Sequence, residues 1–231
     1  MEMHFATVWE SIADAIPDHP ATTHDGVTRS WSQYDDRSAR VAQAFVDAGL
    51  GPESKIGLYM YNCNEYMEAH YAAFKMRGVA VNVNYRYLGE ELWYLLDNSD
   101  AEAIVFHTSL ADRVARVVDR LPNLKLLIVV DDGPAPDGSV TEVPGAQEFE
   151  DVIADNEPME RITRDEDDIY MLYTGGTTGM PKGAMISHGN LMFSLASSRT
   201  DRRATQARCI AGSIRIGKYA SYRSASEMLS Q

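Results

Sequence analysis

The residues that could do chemistry are concentrated in one short segment, residues 173–183, which read YTGGTTGMPKG. Closely spaced glycines permit positive φ angles and let the main chain approach a ligand closely. Successive backbone N–H groups in such a loop form a concave anion-binding surface. The threonine hydroxyls add neutral donors, and Lys182 adds a cation. The segment therefore predicts a polyphosphate-binding loop, whereas a plain surface turn would explain only the glycines.

This loop differs from the commonest phosphate-binding motifs. A P-loop needs Gly-Lys-Ser/Thr as adjacent residues, but Met180 and Pro181 separate Gly179 from Lys182 here. The segment also lacks the G-x-G-x-x-G pattern of dinucleotide-binding folds. The chemistry it indicates is phosphate binding of another type.

Alternating strands and helices must position the loop. Short apolar runs predict strands at residues 55–61, 79–83, 101–106, 124–130 and 169–173. Helical periodicity predicts helices at residues 32–48, from Asn64 as a cap to near Gly78, and at 90–98, 111–121 and 148–154. Residues 131–138 are expected to form a surface loop. This alternation predicts an α/β fold with a parallel sheet and helices on both faces.

Composition excludes several classes of protein. The 231 residues carry a formal net charge of −13, which opposes binding to nucleic acid or to a membrane through a polybasic anchor. Two cysteines, Cys63 and Cys209, are too few for a disulfide framework and favour a reducing compartment. The N-terminus has no signal-peptide pattern, and the longest apolar run, Leu124 to Val130, is too short to span a bilayer. We expect a cytoplasmic protein with no transmembrane segment, and we leave peripheral membrane contact and oligomeric state open.

The charge changes sign near residue 198. Residues 199–231 carry seven basic and two acidic residues, a net charge of +5, whereas residues 1–198 carry 14 basic and 32 acidic residues, a net charge of −18. Residues 199–231 also lack a sustained apolar period. We therefore expect residues 1–198 to form one domain and residues 199–231 to be an unrelated basic tail, either frameshifted or disordered.

The segment at 173–183 resembles the signature loop of the adenylate-forming superfamily, which includes acyl-CoA synthetases, firefly luciferase and peptide-synthetase adenylation domains. Gly175 replaces the usual Ser of that pattern. Residues 186–191 (ISHGNL), 81–87 (VNVNYRY) and 90–92 (EEL) resemble the fatty-acyl-CoA ligase branch in particular. The resemblance covers roughly residues 5–197, so the expected fold is the incomplete N-terminal part of this family's α/β fold.

The resemblance implies a two-step ligase reaction. A fatty or other carboxylic acid attacks the α-phosphate of Mg²⁺-bound ATP to give acyl-AMP and pyrophosphate, and coenzyme A then takes the acyl group. The loop residues that carry over as ATP-phosphate contacts are Thr174, Gly175, Gly176, Thr177, Thr178, Gly179 and Lys182. His188 follows the loop, and its position in the family pattern makes it a candidate substrate-binding residue. A polar residue opening a helix is an equally good interpretation of His188.

Other parts of the family pattern have no match in this sequence. The segments that hold adenine, ribose and Mg²⁺ in the family, and its catalytic Lys, lie downstream of the loop, and residues 199–231 match none of them. We therefore identify no catalytic residue and no protein metal site, and we expect a truncated chain that is inactive alone. The alternative function is a non-catalytic relic that keeps weak nucleotide or pyrophosphate binding or pairs with a partner.

Overall fold

The backbone forms a large sheet and a separate two-stranded hairpin. The computed structural model describes residues 3–133, 142–174, 180–197 and 215–216. The strands are β1 Pro20–His24, β2 Val27–Ser30, β3 Lys55–Tyr59, β4 Val79–Asn82, β5 Ala101–His107, β6 Leu126–Val130, β7 Ala146–Glu148, β8 Ile169–Thr174, β9 Lys182–Ser187 and β10 Arg215–Ile216. The eight-stranded sheet has the order β10-β9-β8-β4-β3-β5-β6-β7, and β1 pairs with β2.

Most neighbouring strands of the large sheet run parallel. Strands β8, β4, β3, β5, β6 and β7 pair in parallel, whereas β9 is antiparallel to both β8 and β10. The helices are α1 Phe5–Ala15, α2 Trp31–Asp47, α3 Asn64–Lys75, α4 Glu90–Asn98, α5 Ala111–Ala115, α6 Phe149–Asp155 and α7 His188–Ser197. The predicted α/β architecture, a mostly parallel sheet flanked by helices, is confirmed.

Two hydrophobic clusters cover the two faces of the sheet. Alternate residues of β5 point to opposite faces, because Ala103 and Val105 join one cluster while Ile104 and Phe106 join the other. The first cluster contains side chains of α1, α2, α3 and α6. The second contains side chains of α4 and α5. Helices therefore bury both faces, which is why the strands read as continuous apolar runs.

Local capping explains where two of the helices begin. The Ser30 hydroxyl accepts the Gln33 N–H at 3.3 Å, and the Gln33 Oε1 accepts the Ser30 N–H at 3.0 Å, which together form a capping box at the start of α2. The prediction that Asn64 caps α3 is wrong by one residue. Cys63 Sγ accepts the Tyr66 N–H at 3.2 Å, and Asn64 instead donates from Nδ2 to the Val27 carbonyl at 3.1 Å.

The structure differs from the sequence prediction in further elements, because one predicted helix is shorter and α1, β1, β2, β7, β9 and β10 have no predicted counterpart. Helix α5 ends at Ala115 and is followed by a short 3₁₀ turn, so the predicted helix 111–121 is too long. Strand β9 was not predicted, because its sequence KGAMIS is neither strongly apolar nor strictly alternating. The expected surface loop at 131–138 is described only to Gly133, and its remainder lies outside the described residues.

Four charged side chains from distant parts of the chain meet under α1. Lys75 Nζ donates to Glu10 Oε1 at 3.1 Å and to Asp35 Oδ1 at 2.7 Å. Arg164 pairs with both oxygens of Glu10, at 2.7 and 2.8 Å. The Lys75 and Arg164 side chains are only 3% and 1% exposed. Because these charges have little access to water, each depends on its partners for solvation.

The structure describes few residues of the predicted tail. Arg215 and Ile216 form β10, which pairs with Met185 and Ala184 of β9; the rest of 198–231 lies outside the described residues. The boundary at residue 198 therefore stays a prediction. Among the helices that the structure describes, none has the length and apolar character needed to cross a membrane.

Candidate functional site

The predicted phosphate-binding motif spans the connection between β8 and β9. The register places Thr174, the last residue of β8, directly opposite Lys182, the first residue of β9. Both of these side chains are exposed. Residues 175–179 lie outside the described residues, so the predicted contacts of Gly175, Gly176, Thr177, Thr178 and Gly179 stay predictions. The structure thus brings together the two ends of the motif, one hydroxyl and one cation.

The loop end of the β8–β9 hairpin lies at the carboxyl ends of the parallel strands, where ligands commonly bind. Strand β8 runs parallel to β4, with Met171 opposite Val81, so Thr174 lies at the carboxyl ends of the parallel strands. In open α/β sheets, ligands bind in crevices outside these carboxyl ends. Within the part of the chain that the structure describes, no carboxylate forms an ion pair with Lys182.

A cavity of about 540 Å³ lies beside the hairpin at the same edge. It is lined by Met60, Tyr61, Asn62, Tyr66, Asn82, Val83, Asn84, Tyr85, Tyr87, Leu95 and Tyr173. The segment after β4 is held in place there, because the Tyr59 hydroxyl donates to the Tyr87 carbonyl at 2.6 Å and Arg113 Nη1 donates to the Tyr85 carbonyl at 2.6 Å. The sequence pattern does not predict this cavity, although the polar residues that follow β3 and β4 are a usable signal.

His188 does not line that cavity and instead contacts Phe5 and Phe74 of the first hydrophobic cluster. Its side chain is 0% exposed, and its ring stacks on His4 with centroids 3.8 Å apart and an interplanar angle of 1°. The His188 Nδ1 accepts the Phe5 N–H at 3.2 Å. Phe74 contacts the same ring edge to face at 4.5 Å. His188 therefore packs α1 against the start of α7, and a contact with substrate stays a prediction.

Both stacked histidines are neutral in the folded chain. Burial, followed by the charges of Arg164 and Arg77, lowers the pKa of His4 to about 3. Burial, followed by the neighbouring His4, lowers the pKa of His188 to about 3. In the unfolded chain a histidine titrates near 6.5. Between these values the unfolded chain binds more protons, so the free energy of unfolding must fall as the pH falls.

We expect this histidine pair to make the fold acid-sensitive above the range where most carboxylates titrate. Between pH 7.5 and pH 5.5, a histidine with a pKa near 6.5 becomes mostly protonated in the unfolded chain but stays neutral in the folded chain. This difference lowers the free energy of unfolding by roughly 1.4 kcal/mol for each of the two histidines. Urea unfolding at both pH values measures the loss. His188→Asn keeps an acceptor for the Phe5 N–H and should shrink the pH dependence, whereas the exposed His19→Asn should leave it unchanged. An equal pH dependence in all three proteins would contradict the assignment.

Comparisons with known proteins agree with the fold and with the family resemblance. A sequence model of the family described as AMP-binding enzyme matches residues 9–213. The 3-oxocholest-4-en-26-oate–CoA ligase of Rhodococcus rhodochrous is 39% identical over 189 residues, which is 81% of this chain and 34% of that protein. The medium/long-chain-fatty-acid–CoA/3-oxocholest-4-en-26-oate–CoA ligase of Mycobacterium marinum is 39% identical over 194 residues, which is 82% of this chain and 35% of that protein.

Solved structures share the fold of this chain. The anthranilate CoA ligase AuaEII, crystallised with anthranoyl-AMP, superposes with a TM-score of 0.73 at 20% identity, over 86% of this chain and 37% of its own. ATP-bound MatB from Rhodopseudomonas palustris superposes with a TM-score of 0.70 at 25% identity, over 86% of this chain and 38% of its own. The chain thus spans about a third of the length of the curated relatives it matches. On the match over residues 9–213, the chain belongs to the AMP-binding enzyme family.

Proposed function

We propose that this chain supplies the ATP-phosphate-binding part of an AMP-forming acid–CoA ligase. The observation that carries the proposal is the placement of the motif: Thr174 and Lys182 face each other at the turn of β8–β9, at the carboxyl edge of the sheet. An exposed cation and hydroxyl at the two ends of a glycine-rich turn suit a polyphosphate. The relatives named as CoA ligases support the reaction class.

The proposed reaction consists of two displacement steps, the first at the α-phosphorus of ATP and the second at the acyl carbon. A carboxylate oxygen of the acid attacks the α-phosphorus of ATP, and pyrophosphate leaves as acyl-AMP forms. The thiolate of coenzyme A then attacks the acyl carbon, and AMP leaves. Lys182 and the loop donors would bind the β- and γ-phosphates, orient them for in-line displacement and neutralise charge on the departing pyrophosphate.

The co-substrates beyond the phosphates belong to the proposal as well. We propose a fatty or related carboxylic acid as the substrate of the whole protein, because two relatives are named as CoA ligases of fatty or oxocholestenoic acids. Mg²⁺ would enter bound to ATP, as in the reaction that the family resemblance implies. The cytoplasmic location expected from the sequence stays a prediction.

The domain boundary also stays a proposal. We place it at residue 198, where the net charge reverses, although the family match continues to residue 213. Translating the coding DNA in its other two frames beyond codon 198 distinguishes the alternatives. A frame that resumes the family pattern supports a reading-frame change, and its absence from both frames favours a tail that belongs to the protein.

We expect Lys182→Ala to weaken the binding of magnesium pyrophosphate and of ATP by about 10- to 150-fold. This range corresponds to the roughly 1.5–3 kcal/mol of a hydrogen bond to a charged group. Isothermal titration calorimetry of the purified chain measures the dissociation constants. Circular dichroism should show no change in folding, because Lys182 is exposed.

Two further variants make this test specific. Lys182→Arg keeps the charge and should retain much of the affinity. Lys55→Ala removes an equal charge at the first residue of β3, which lies at the amino ends of the parallel strands, and this variant should bind pyrophosphate like the wild type. If Lys182→Ala and Lys55→Ala weaken binding equally, the loop is not the phosphate site.

A further inference from the structure

We infer that Tyr173, tied to Asn98 of α4, is a positioning residue that fixes the proposed phosphate-binding hairpin against the parallel sheet. The inference rests on the proposed function, because it concerns how Thr174 and Lys182 are held for a ligand. Neither residue belongs to the set of expected phosphate contacts. Tyr173 and Asn98 hold Thr174 and Lys182 in position and do not contact the phosphates themselves.

The loop end of the hairpin needs a tether to the rest of the fold. Strand β8 pairs with β4 at Met171 and Val81, and Met171 lies three residues before Thr174. At the other end of β8, Arg77 holds Asp168 with a bidentate ion pair at 2.7 to 3.1 Å. Thr174 and Lys182 lie at the end opposite this ion pair, so their position depends on contacts made near residue 173.

The Tyr173 ring ties β8 to β9 at the base of the loop. Tyr173 lies directly opposite Gly183 in the register. A Cβ atom on Gly183 would lie 3.1 Å from Tyr173 Cε2 and 3.2 Å from Tyr173 Cζ. The ring therefore occupies the space that a side chain at 183 would need, in van der Waals contact with the strand that begins at Lys182.

The Tyr173 hydroxyl ties the same ring to a helix on the sheet. It donates to Asn98 Oδ1 at 2.9 Å, across 75 positions of sequence. Asn98 is the last residue of α4, whose Leu92, Leu95 and Leu96 are buried in the second cluster. Burial raises the pKa of Tyr173, so the phenol keeps its proton and remains a donor. The contacts run without a gap from α4 through Asn98 and Tyr173 to the residue that follows Lys182.

We expect Tyr173→Phe to weaken the binding of magnesium pyrophosphate by about 3- to 10-fold while the chain stays folded. The variant keeps the ring on Gly183 and removes one hydrogen bond, whose net contribution corresponds to this range. Asn98→Ala should weaken binding by a similar factor. The double variant should bind no more weakly than either single variant, since both changes remove the same contact.

Tyr34→Phe is the matched control. Its hydroxyl donates to the Met67 carbonyl at 3.0 Å, in the first cluster, so it also loses a phenol hydrogen bond but far from the hairpin. It should lower the melting temperature as much as Tyr173→Phe without changing pyrophosphate affinity. Wild-type affinity in Tyr173→Phe, or equal losses of affinity in both tyrosine variants, overturns the inference and leaves the proposed function intact. A wild-type chain that binds no pyrophosphate overturns both.

Discussion

The purified 231-residue chain is expected to form no detectable acyl-CoA from ATP, Mg²⁺, coenzyme A and a panel of fatty acids. The relatives that are named as CoA ligases are about three times as long as the matched segment. The family segments expected to hold adenine and ribose and to supply the catalytic Lys have no match in residues 1–231. Removing even one preorganised donor costs about 10²–10³ in kcat, so the absence of several places the rate below detection.

The assay needs a positive control and a criterion for contamination. A full-length relative, assayed in parallel, should give thioester by mass spectrometry under the same conditions. Thioester formation that scales with the amount of this chain and disappears in Lys182→Ala would refute the prediction. Formation that persists in Lys182→Ala would identify a contaminating ligase and leave the prediction standing.

Replacing Lys75 by methionine is expected to lower the free energy of unfolding by about 3–5 kcal/mol, because it breaks a buried charge network by removing one partner. Burial opposes ionisation of Asp35, yet the charge and hydrogen bond of Lys75 hold its pKa below the usual range. Without Lys75, Asp35 keeps the Tyr71 hydroxyl at 2.6 Å and Arg161 at 3.3 Å. Glu10 keeps Arg164. The remaining carboxylates are therefore less well compensated.

Urea unfolding monitored by circular dichroism measures the loss. Lys125→Met is the matched control: Lys125 pairs with Glu102 at 2.7 Å but is 46% exposed, so its removal should cost less than about 1 kcal/mol. Substituting Asn for Asp35 in the Lys75→Met protein should recover part of the loss, because it removes one uncompensated charge. Equal losses in Lys75→Met and Lys125→Met would show that the network does not stabilise the fold.

Features that depend on local sequence were predictable. Strands β3 to β6 are apolar because both of their faces are covered, and α2 and α4 have clear apolar stripes, so these elements were located within a few residues. Helix α5 was predicted too long. Val114, Val117 and Leu121 are spaced like one helical face, but a 3₁₀ turn presents the last part of that face to the core.

Features that join distant residues could not be predicted from the pattern. Glu10 and Arg164 are 154 positions apart in the sequence, and the stacked His4 and His188 come from near its two ends within residues 1–198. A charged residue in an amphipathic helix has the same local signature whether it faces solvent or a buried partner. The predicted phosphate-binding motif could be recognised because its residues are consecutive, whereas the hydrogen bond of Tyr173 to Asn98 appears only once α4 lies beside β8.

Hydrogen exchange with and without magnesium pyrophosphate tests the central claim, that the turn of the β8–β9 hairpin binds phosphates. If it is correct, exchange should be slower in peptides that cover residues 173–183 and in the strands that flank them, and unchanged at the first residues of β3. In Lys182→Ala, the same ligand concentration should give much weaker protection. Protection at another surface, or saturable binding that leaves residues 173–183 unchanged, would contradict phosphate binding by this segment.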